Sequence, residues 1–118
     1  MKFLLLISLF VLSACTERVK IDEVKVFNPK FEVIKVLSSK AATEAFEGLW
    51  YELKPVEELP FESALNEGLY KIDIVSPNKR ARGRWLYHSS GFVVRLGKTL
   101  KPRYQVKDVA KFNERIGI

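Results

Sequence analysis

Three segments in the second half of the chain decide the fold: Leu69-Tyr-Lys-Ile-Asp-Ile-Val75, Arg84-Trp-Leu-Tyr-His88 and Phe92-Val-Val-Arg-Leu96. In the first segment the even positions are apolar or aromatic, whereas the odd positions include Lys and Asp. This period of two is typical of a strand with one buried face. The second and third segments flank Ser89-Ser90-Gly91, a three-residue loop that ends in glycine, as β-hairpins favour. The region therefore predicts antiparallel strands.

Residues 19–37 predict another hairpin. Apolar and polar residues alternate from Val19 to Phe27 in two stretches, and the slip between them at Asp22-Glu23 suits a bulge or a bend. Asn28-Pro29 is a typical turn pair. The following segment, Phe31–Leu37, is rich in β-branched residues, as strands are. We expect the two strands to pair antiparallel.

A helix is expected after this hairpin. Ser38-Ser39 offers an N-cap. Apolar residues recur behind it at helical spacing, at Ala41, Ala42, Ala45, Phe46, Leu49, Trp50 and Leu53. Gly48 weakens the middle of this helix by about 1 kcal/mol relative to alanine. The helix is therefore expected either to end near Gly48 or to continue until Pro55 stops it.

The C-terminal residues complete the predicted fold. Residues 104–106 favour a short edge strand, and a closing helix is expected from about Lys107 to Arg115, followed by Gly117. Residues 55–67 are expected to form a surface connection with one turn of helix at 62–66. The order β-β-α-β-β-β-(β)-α predicts an α+β domain, in which one or two helices pack on one face of a small antiparallel sheet.

The N-terminus carries a targeting motif. Lys2 precedes an apolar run, which Leu12-Ser13-Ala14-Cys15 closes, and this arrangement is typical of a secretory signal. The last four residues resemble the lipobox of bacterial lipoproteins. The resemblance implies cleavage before Cys15, acylation of that cysteine and attachment of the protein to a membrane. A signal peptide (1–14), a lipidated tether (15–20) and a single globular domain (21–118) are therefore expected.

Two alternatives bear on this interpretation. A transmembrane helix needs about 20 apolar residues, but the apolar run ends at Ala14. An ordinary secretory signal with an incidental cysteine is the other alternative, and acylation explains an unpaired exported cysteine better. In Gram-negative lipoproteins an aspartate after the cysteine favours inner-membrane retention. Thr16 stands there, which implies the periplasmic face of the outer membrane if the source is Gram-negative.

Cysteine and histidine counts limit the chemistry of the domain. Cys15 is the only cysteine and His88 the only histidine. Disulfide frameworks, zinc ribbons and iron–sulfur centres are therefore not expected, and no metal or other cofactor is predicted.

Charge is divided unevenly along the chain. Residues 17–67 hold 11 acidic and 7 basic residues, whereas residues 68–118 hold 3 acidic and 12 basic residues. Such asymmetry suggests an anionic partner for one surface. A solvated basic face that only aids solubility is the alternative.

Most of the positive charge of the C-terminal half lies in two predicted loops, 76–83 and 97–102, and at the first residues of the strands that follow them. The candidate anion- or partner-binding residues are Lys79, Arg80, Arg82, Arg84, Lys98, Lys101 and Arg103. If the hairpins fold as predicted, the two loops lie at one end of the sheet. The neighbouring Trp85 and Tyr87 are candidates for stacking on a sugar, although core packing uses the same residue types. Basic and aromatic residues together also resemble surfaces that bind single-stranded nucleic acid, but export argues against that partner.

Catalytic groups are poorly supplied. His88, Ser89 and Ser90 suggest a Ser–His pair, but neighbours in a tight turn point to different faces and no Gly-x-Ser-x-Gly elbow is present. The carboxylates Glu57, Glu58, Glu62 and Glu67 lie in a polar connection and are expected to be solvated.

The expected function is therefore binding rather than catalysis. The first hypothesis is a small envelope lipoprotein that binds a protein or an anionic envelope component through its basic C-terminal half. It would act as an assembly accessory, an inhibitor or immunity protein, or an exclusion lipoprotein. A module that binds peptidoglycan or another glycan is the second hypothesis. A small periplasmic hydrolase is the third.

Overall fold

The computed structural model describes residues 19–58 and 68–118, which form one antiparallel sheet and two helices. The strands are β1 (Glu23–Phe27), β2 (Val33–Leu37), β3 (Lys54–Pro55), β4 (Tyr70–Val75), β5 (Gly83–His88), β6 (Phe92–Arg95) and β7 (Arg103–Gln105). The helices are α1 (Lys40–Tyr51) and α2 (Val109–Arg115).

The strands lie in the order β2-β1-β4-β5-β6-β7-β3, and each neighbouring pair is antiparallel. Strands β4 to β7 are consecutive in both sequence and space. Ile72 lies opposite Trp85, which in turn lies opposite Arg95, so these three residues share one face of the sheet. Helix α1 connects β2 at one edge to the two-residue β3 at the other. Pro55 is tolerated in β3 because an edge strand needs fewer backbone donors.

Helix α1 begins at Lys40 because the Ser39 side chain accepts a hydrogen bond from the Ala42 N–H at 3.2 Å. It continues past Gly48 but ends at Tyr51, before the expected stop at Pro55, which lies in β3. Phe46 and Trp50, four residues apart on one side of the helix, are both buried. Burying one such side chain contributes about 1.5–3 kcal/mol, which outweighs the cost of Gly48.

The core lies between the helices and one face of the sheet. Trp50 meets Trp85 of β5 edge-on, with ring centroids 4.8 Å apart. Phe112 of α2 lies 5.6 Å from Phe46 and 4.9 Å from Tyr87. Both helices therefore pack on the same face. Residues of the opposite face, such as Val75 at 54% exposure, remain accessible to solvent.

The predicted α+β class with an antiparallel sheet is confirmed. The sheet is larger than the small one expected, since it has seven strands and includes the unpredicted β3. The bend expected at Asp22-Glu23 is found at Asp22, directly before β1, and a further irregularity in the pairing of β1 with β2 lies between Val26 and Phe27. The predicted helical turn at 62–66 and the lipobox with Cys15 lie outside the described residues.

Candidate functional site

Two basic loops lie at one end of the sheet. Loop 76–82 joins β4 to β5, and loop 96–102 joins β6 to β7. Because β4 to β7 are consecutive antiparallel neighbours, the first and third connections fall at the same end. Neither loop contains Asp or Glu. Their exposed cations are Lys79, Arg80, Arg82, Lys98 and Lys101, which we call the basic loop end.

Arg95 joins the two loops from the helix-covered face of the sheet. Its Cζ lies 4.6 Å from the centroid of the Trp85 ring. Its Nη2 donates to the carbonyl oxygens of Lys79 at 2.7 Å and Arg80 at 3.1 Å. Arg95 is not among the site residues predicted from the sequence. The sequence does contain a sign of its position. Arg95 follows Val93 by two residues, so both side chains lie on the inward face of β6, opposite Trp85 and Tyr87.

The backbone of loop 76–82 is fixed by hydrogen bonds. The Asn78 carbonyl accepts from the N–H groups of Ala81 at 3.1 Å and Arg82 at 3.0 Å. The Asn78 side chain accepts from the Arg80 N–H at 2.9 Å, and Trp85 Nε1 donates to the Ala81 carbonyl at 2.8 Å. These bonds hold the loop backbone against the core, while the side chains of Lys79, Arg80 and Arg82 are exposed to solvent.

Arg84, one of the predicted partner-binding residues, lies in β5 outside the two loops and is paired within the protein. Its Nε and Nη2 donate to the two carboxylate oxygens of Asp73 at 2.6 and 2.7 Å. Its Cζ lies 5.6 Å from the ring centroid of Phe27 and 5.1 Å from that of Phe31, on the open face of the sheet. The hydrogen bond to Asp73 raises the pKa of Arg84, against a smaller opposing effect of burial. A carboxylate therefore already compensates this charge.

Arg103 is also engaged within the protein. Its Nε donates to the Leu100 carbonyl at 3.1 Å, and its Nη1 donates to the Glu57 carbonyl at 3.3 Å. The guanidinium thus ties loop 96–102 to the segment after β3. Its role in binding a partner stays a prediction, and the two carbonyls limit how far its side chain can reach.

Trp85 and Tyr87 lie in the core rather than at a surface. Both side chains are 0% exposed, so neither ring offers a face to a sugar. The prediction of a stacking platform is wrong, because the inward face of β5 lies under the helices. Burial raises the pKa of Tyr87, and its hydroxyl donates to Asn113 Oδ1.

The N-terminal segment reaches the sheet at the same end as the basic loops. The Ser76 hydroxyl donates to the Lys20 carbonyl, and the Asp22 N–H donates to the Val75 carbonyl at 2.8 Å. On the other side of the segment, the Ile21 N–H donates to Glu47 Oε2 of α1 at 2.9 Å. The chain between residues 20 and 22 is therefore held beside the start of loop 76–82.

The turn 89–91 lies at the opposite end of the sheet. Here His88 Nδ1 lies 2.7 Å from Ser90 Oγ and accepts from the Ser90 N–H at 3.1 Å. His88 therefore contacts Ser90, two residues away, and this pairing was not predicted from the sequence. Ser90 is exposed on the turn, and the contact is the kind of local side-chain-to-backbone bond that stabilises turns.

Other sites have little support in the described parts of the chain. Within residues 19–58 and 68–118, no group of three or more His, Cys, Asp or Glu residues is placed to hold a metal ion. Glu57 and Glu58 are exposed, while Glu62 and Glu67 lie outside the described ranges. No helix in those ranges is long and apolar enough to cross a membrane.

A groove of about 720 Å³ lies between α1, α2 and β2. Its charged lining residues are Lys35, Glu52, Lys111, Glu114 and Arg115. Because both signs of charge are mixed there, the groove shows no preference for an anion comparable to that of the basic loop end.

Comparison of the chain with family models, with curated protein sequences and with solved structures finds no match.

Proposed function

We propose that this chain is a lipid-anchored protein of the bacterial cell envelope that acts by binding an anionic or acidic partner through its basic loop end. The observation that carries the proposal is the convergence of two acid-free loops with five exposed cations on one end of the sheet. Arg and Lys side chains bind phosphates and carboxylates through charge-assisted hydrogen bonds.

The fixed backbone of the site supports binding. Arg95 and Trp85 donate hydrogen bonds to three backbone carbonyls of loop 76–82. Because the loop backbone is already ordered, little conformational entropy is lost when a partner binds. A basic face that only aids solubility needs no such support. The partner class is an envelope protein with an acidic surface or an anionic envelope polymer or lipid, as for an assembly accessory, an inhibitor or immunity protein, or an exclusion lipoprotein.

The anchor is the second part of the proposal. The lipobox-like motif at Cys15 supports acylation, and Thr16 supports the periplasmic face of the outer membrane in a Gram-negative cell. Mass spectrometry of the N-terminal peptide tests this directly. We expect a mature chain that begins at an acylated Cys15. An unmodified cysteine or an uncleaved signal would contradict the anchor.

The binding surface is tested with two variants of equal charge. In the first, Lys79, Lys98 and Lys101 of the basic loop end are replaced by Gln. In the second, Lys30, Lys54 and Lys111, which are exposed elsewhere, are replaced in the same way. The detergent-solubilised full chain is eluted from heparin with a salt gradient. We expect the first variant to elute at clearly lower salt than the second, because only clustered cations cooperate on a polyanion. Equal elution would leave only the solubility interpretation.

Neither alternative function gains a comparable observation. The glycan-binding hypothesis loses its aromatic platform, since Trp85 and Tyr87 are buried. The hydrolase hypothesis rests on the His88–Ser90 contact in an exposed turn.

A further inference from the structure

We infer that the partner of the basic loop end is the anionic head-group surface of the same bilayer that holds the protein's own anchor. The inference rests on the proposed acylation of Cys15 and identifies the partner of the proposed site. The acyl chains and the cationic loops would then act together as two attachments to one membrane.

The first step is the position at which the tether meets the domain. Lys20 and Asp22 are hydrogen-bonded to Ser76 and Val75, at the start of loop 76–82. Loop 96–102 follows directly across the end of the sheet, because Arg95 connects it to the carbonyls of Lys79 and Arg80. The tether and both basic loops therefore leave the domain at one end.

The second step is distance. Cys15 and Lys20 are five residue steps apart, so a fully extended tether spans at most about 18 Å. From β1, which follows the tether, to β7 at the far side of the basic loops there are four strand spacings, or about 19 Å across the sheet. An acylated Cys15 would therefore keep the whole basic loop end within a few tens of ångströms of the lipid phosphates.

The third step is charge. Basic residues near an anionic bilayer are each attracted to it, by about fivefold in equilibrium constant per residue, and the tether supplies a high local concentration. Asp22 and Glu44 are the exposed carboxylates near the tether. They lie beside β1 and α1, whereas the two basic loops carry no carboxylate. Glu57 and Glu58 line a groove with Lys101 beside loop 96–102 and offset part of its charge. The five cations of the basic loop end outnumber these two carboxylates, so this end keeps a net positive charge toward the lipid phosphates.

Chemical labelling of lysines in the acylated full chain tests the inference. The protein is reconstituted into vesicles of phosphatidylcholine alone, or of phosphatidylcholine mixed with phosphatidylglycerol, and exposed to a water-soluble amine-acetylating reagent. Mass spectrometry then compares Lys79, Lys98 and Lys101 with the control lysines Lys30, Lys54 and Lys111. We expect labelling of the first three to fall at least about fivefold on the anionic vesicles and to recover at high salt. The control lysines are expected to label equally on both.

The possible failures can be told apart. Chain that does not float with either kind of vesicle lacks its anchor, and the proposed function fails with the inference. Chain that floats but labels equally on both vesicle types overturns the inference alone. In that second case, the heparin test decides what the basic loop end binds. If replacing Lys79, Lys98 and Lys101 by Gln weakens heparin binding, the basic loop end remains a binding surface, and its partner is an acidic protein or polymer.

Discussion

The guanidinium of Arg95 lies 4.6 Å from the ring centroid of Trp85, and this contact connects the core to the basic loop end. Trp85 is fully buried against Trp50, and its Nε1 also holds the Ala81 carbonyl. Arg95 holds the carbonyls of two further residues of the same loop. The geometry of an exposed, charged surface is therefore set by a ring in the core.

Arg95→Gln tests this connection. The variant removes the cation–π contact and two hydrogen bonds to carbonyls, so we expect a loss of about 2 kcal/mol in the free energy of unfolding. Amide exchange of Ala81 and Arg82, whose N–H groups bond to Asn78, should become faster. Urea denaturation and hydrogen-exchange mass spectrometry measure the two effects. Arg115→Gln, at an exposed position near the end of α2, is the control and should change stability by less than about 0.5 kcal/mol.

Tyr87 makes stability depend on pH in the alkaline range. Burial raises the pKa of Tyr87, while an unfolded tyrosine ionises near pH 10. Above about pH 10 the unfolded chain therefore loses a proton that the folded chain keeps, and stability falls by about 1.4 kcal/mol per pH unit from this group. Below that pH the contribution is fully present. Urea denaturation between about pH 9 and pH 11 measures the slope.

Tyr87→Phe should remove that slope. At neutral pH the same variant should be less stable by about 1 kcal/mol, because Asn113 Oδ1 loses the hydrogen bond donated by the Tyr87 hydroxyl. Tyr51→Phe, at a side chain that is 59% exposed, is the control and should keep the slope. An unchanged slope in Tyr87→Phe would contradict the assignment.

Arg84→Gln separates stability from binding. Its ion pair with Asp73 is partly exposed, so the loss in unfolding free energy should be only about 1 kcal/mol. Elution from heparin should shift far less than it does for the triple lysine variant, because Asp73 already compensates this charge. A larger shift than that of the lysine variant would return Arg84 to the binding surface.

Alternation and turn residues were enough to predict most of the sheet. In β4 the buried Ile72 and Ile74 alternate with Lys71 and Asp73, and this pattern depends only on the strand itself. β3 has no such pattern. It is a strand because Pro55 lies opposite Tyr104, a residue about fifty positions later.

The candidate site could be predicted only in part, for the same reason. The two loops were identified from composition, and their common end follows from consecutive hairpins. The contacts that Arg84 and Arg95 make depend instead on the register of strand pairing, which places Asp73 opposite Arg84 and Trp85 opposite Arg95. A one-residue shift would reverse the two faces, and the sequence alone does not specify the register closely enough to choose.

Ser90 tests the hydrolase hypothesis. Although His88 Nδ1 lies 2.7 Å from Ser90 Oγ, it also accepts the Ser90 N–H, so the contact closes a turn. We expect a fluorophosphonate probe, which labels activated serines, not to label the full chain above the level of Ser90→Ala. Labelling that Ser90→Ala abolishes would instead support a serine hydrolase.

Lengthening the tether tests the inferred membrane contact by changing the distance between the anchor and the domain, while the charges stay the same. We consider twenty Gly/Ser residues inserted between Thr16 and Glu17. A flexible segment of that length has a mean span of about 25 Å, which lowers the effective concentration of the basic loop end at the lipid surface. On anionic vesicles the labelling of Lys79, Lys98 and Lys101 should rise several-fold, with the acyl anchor intact. The same insertion after Ile118 leaves the tether unchanged and should have no effect. Equal protection in both insertions would mean that charge alone, without the short tether, holds the domain against the membrane.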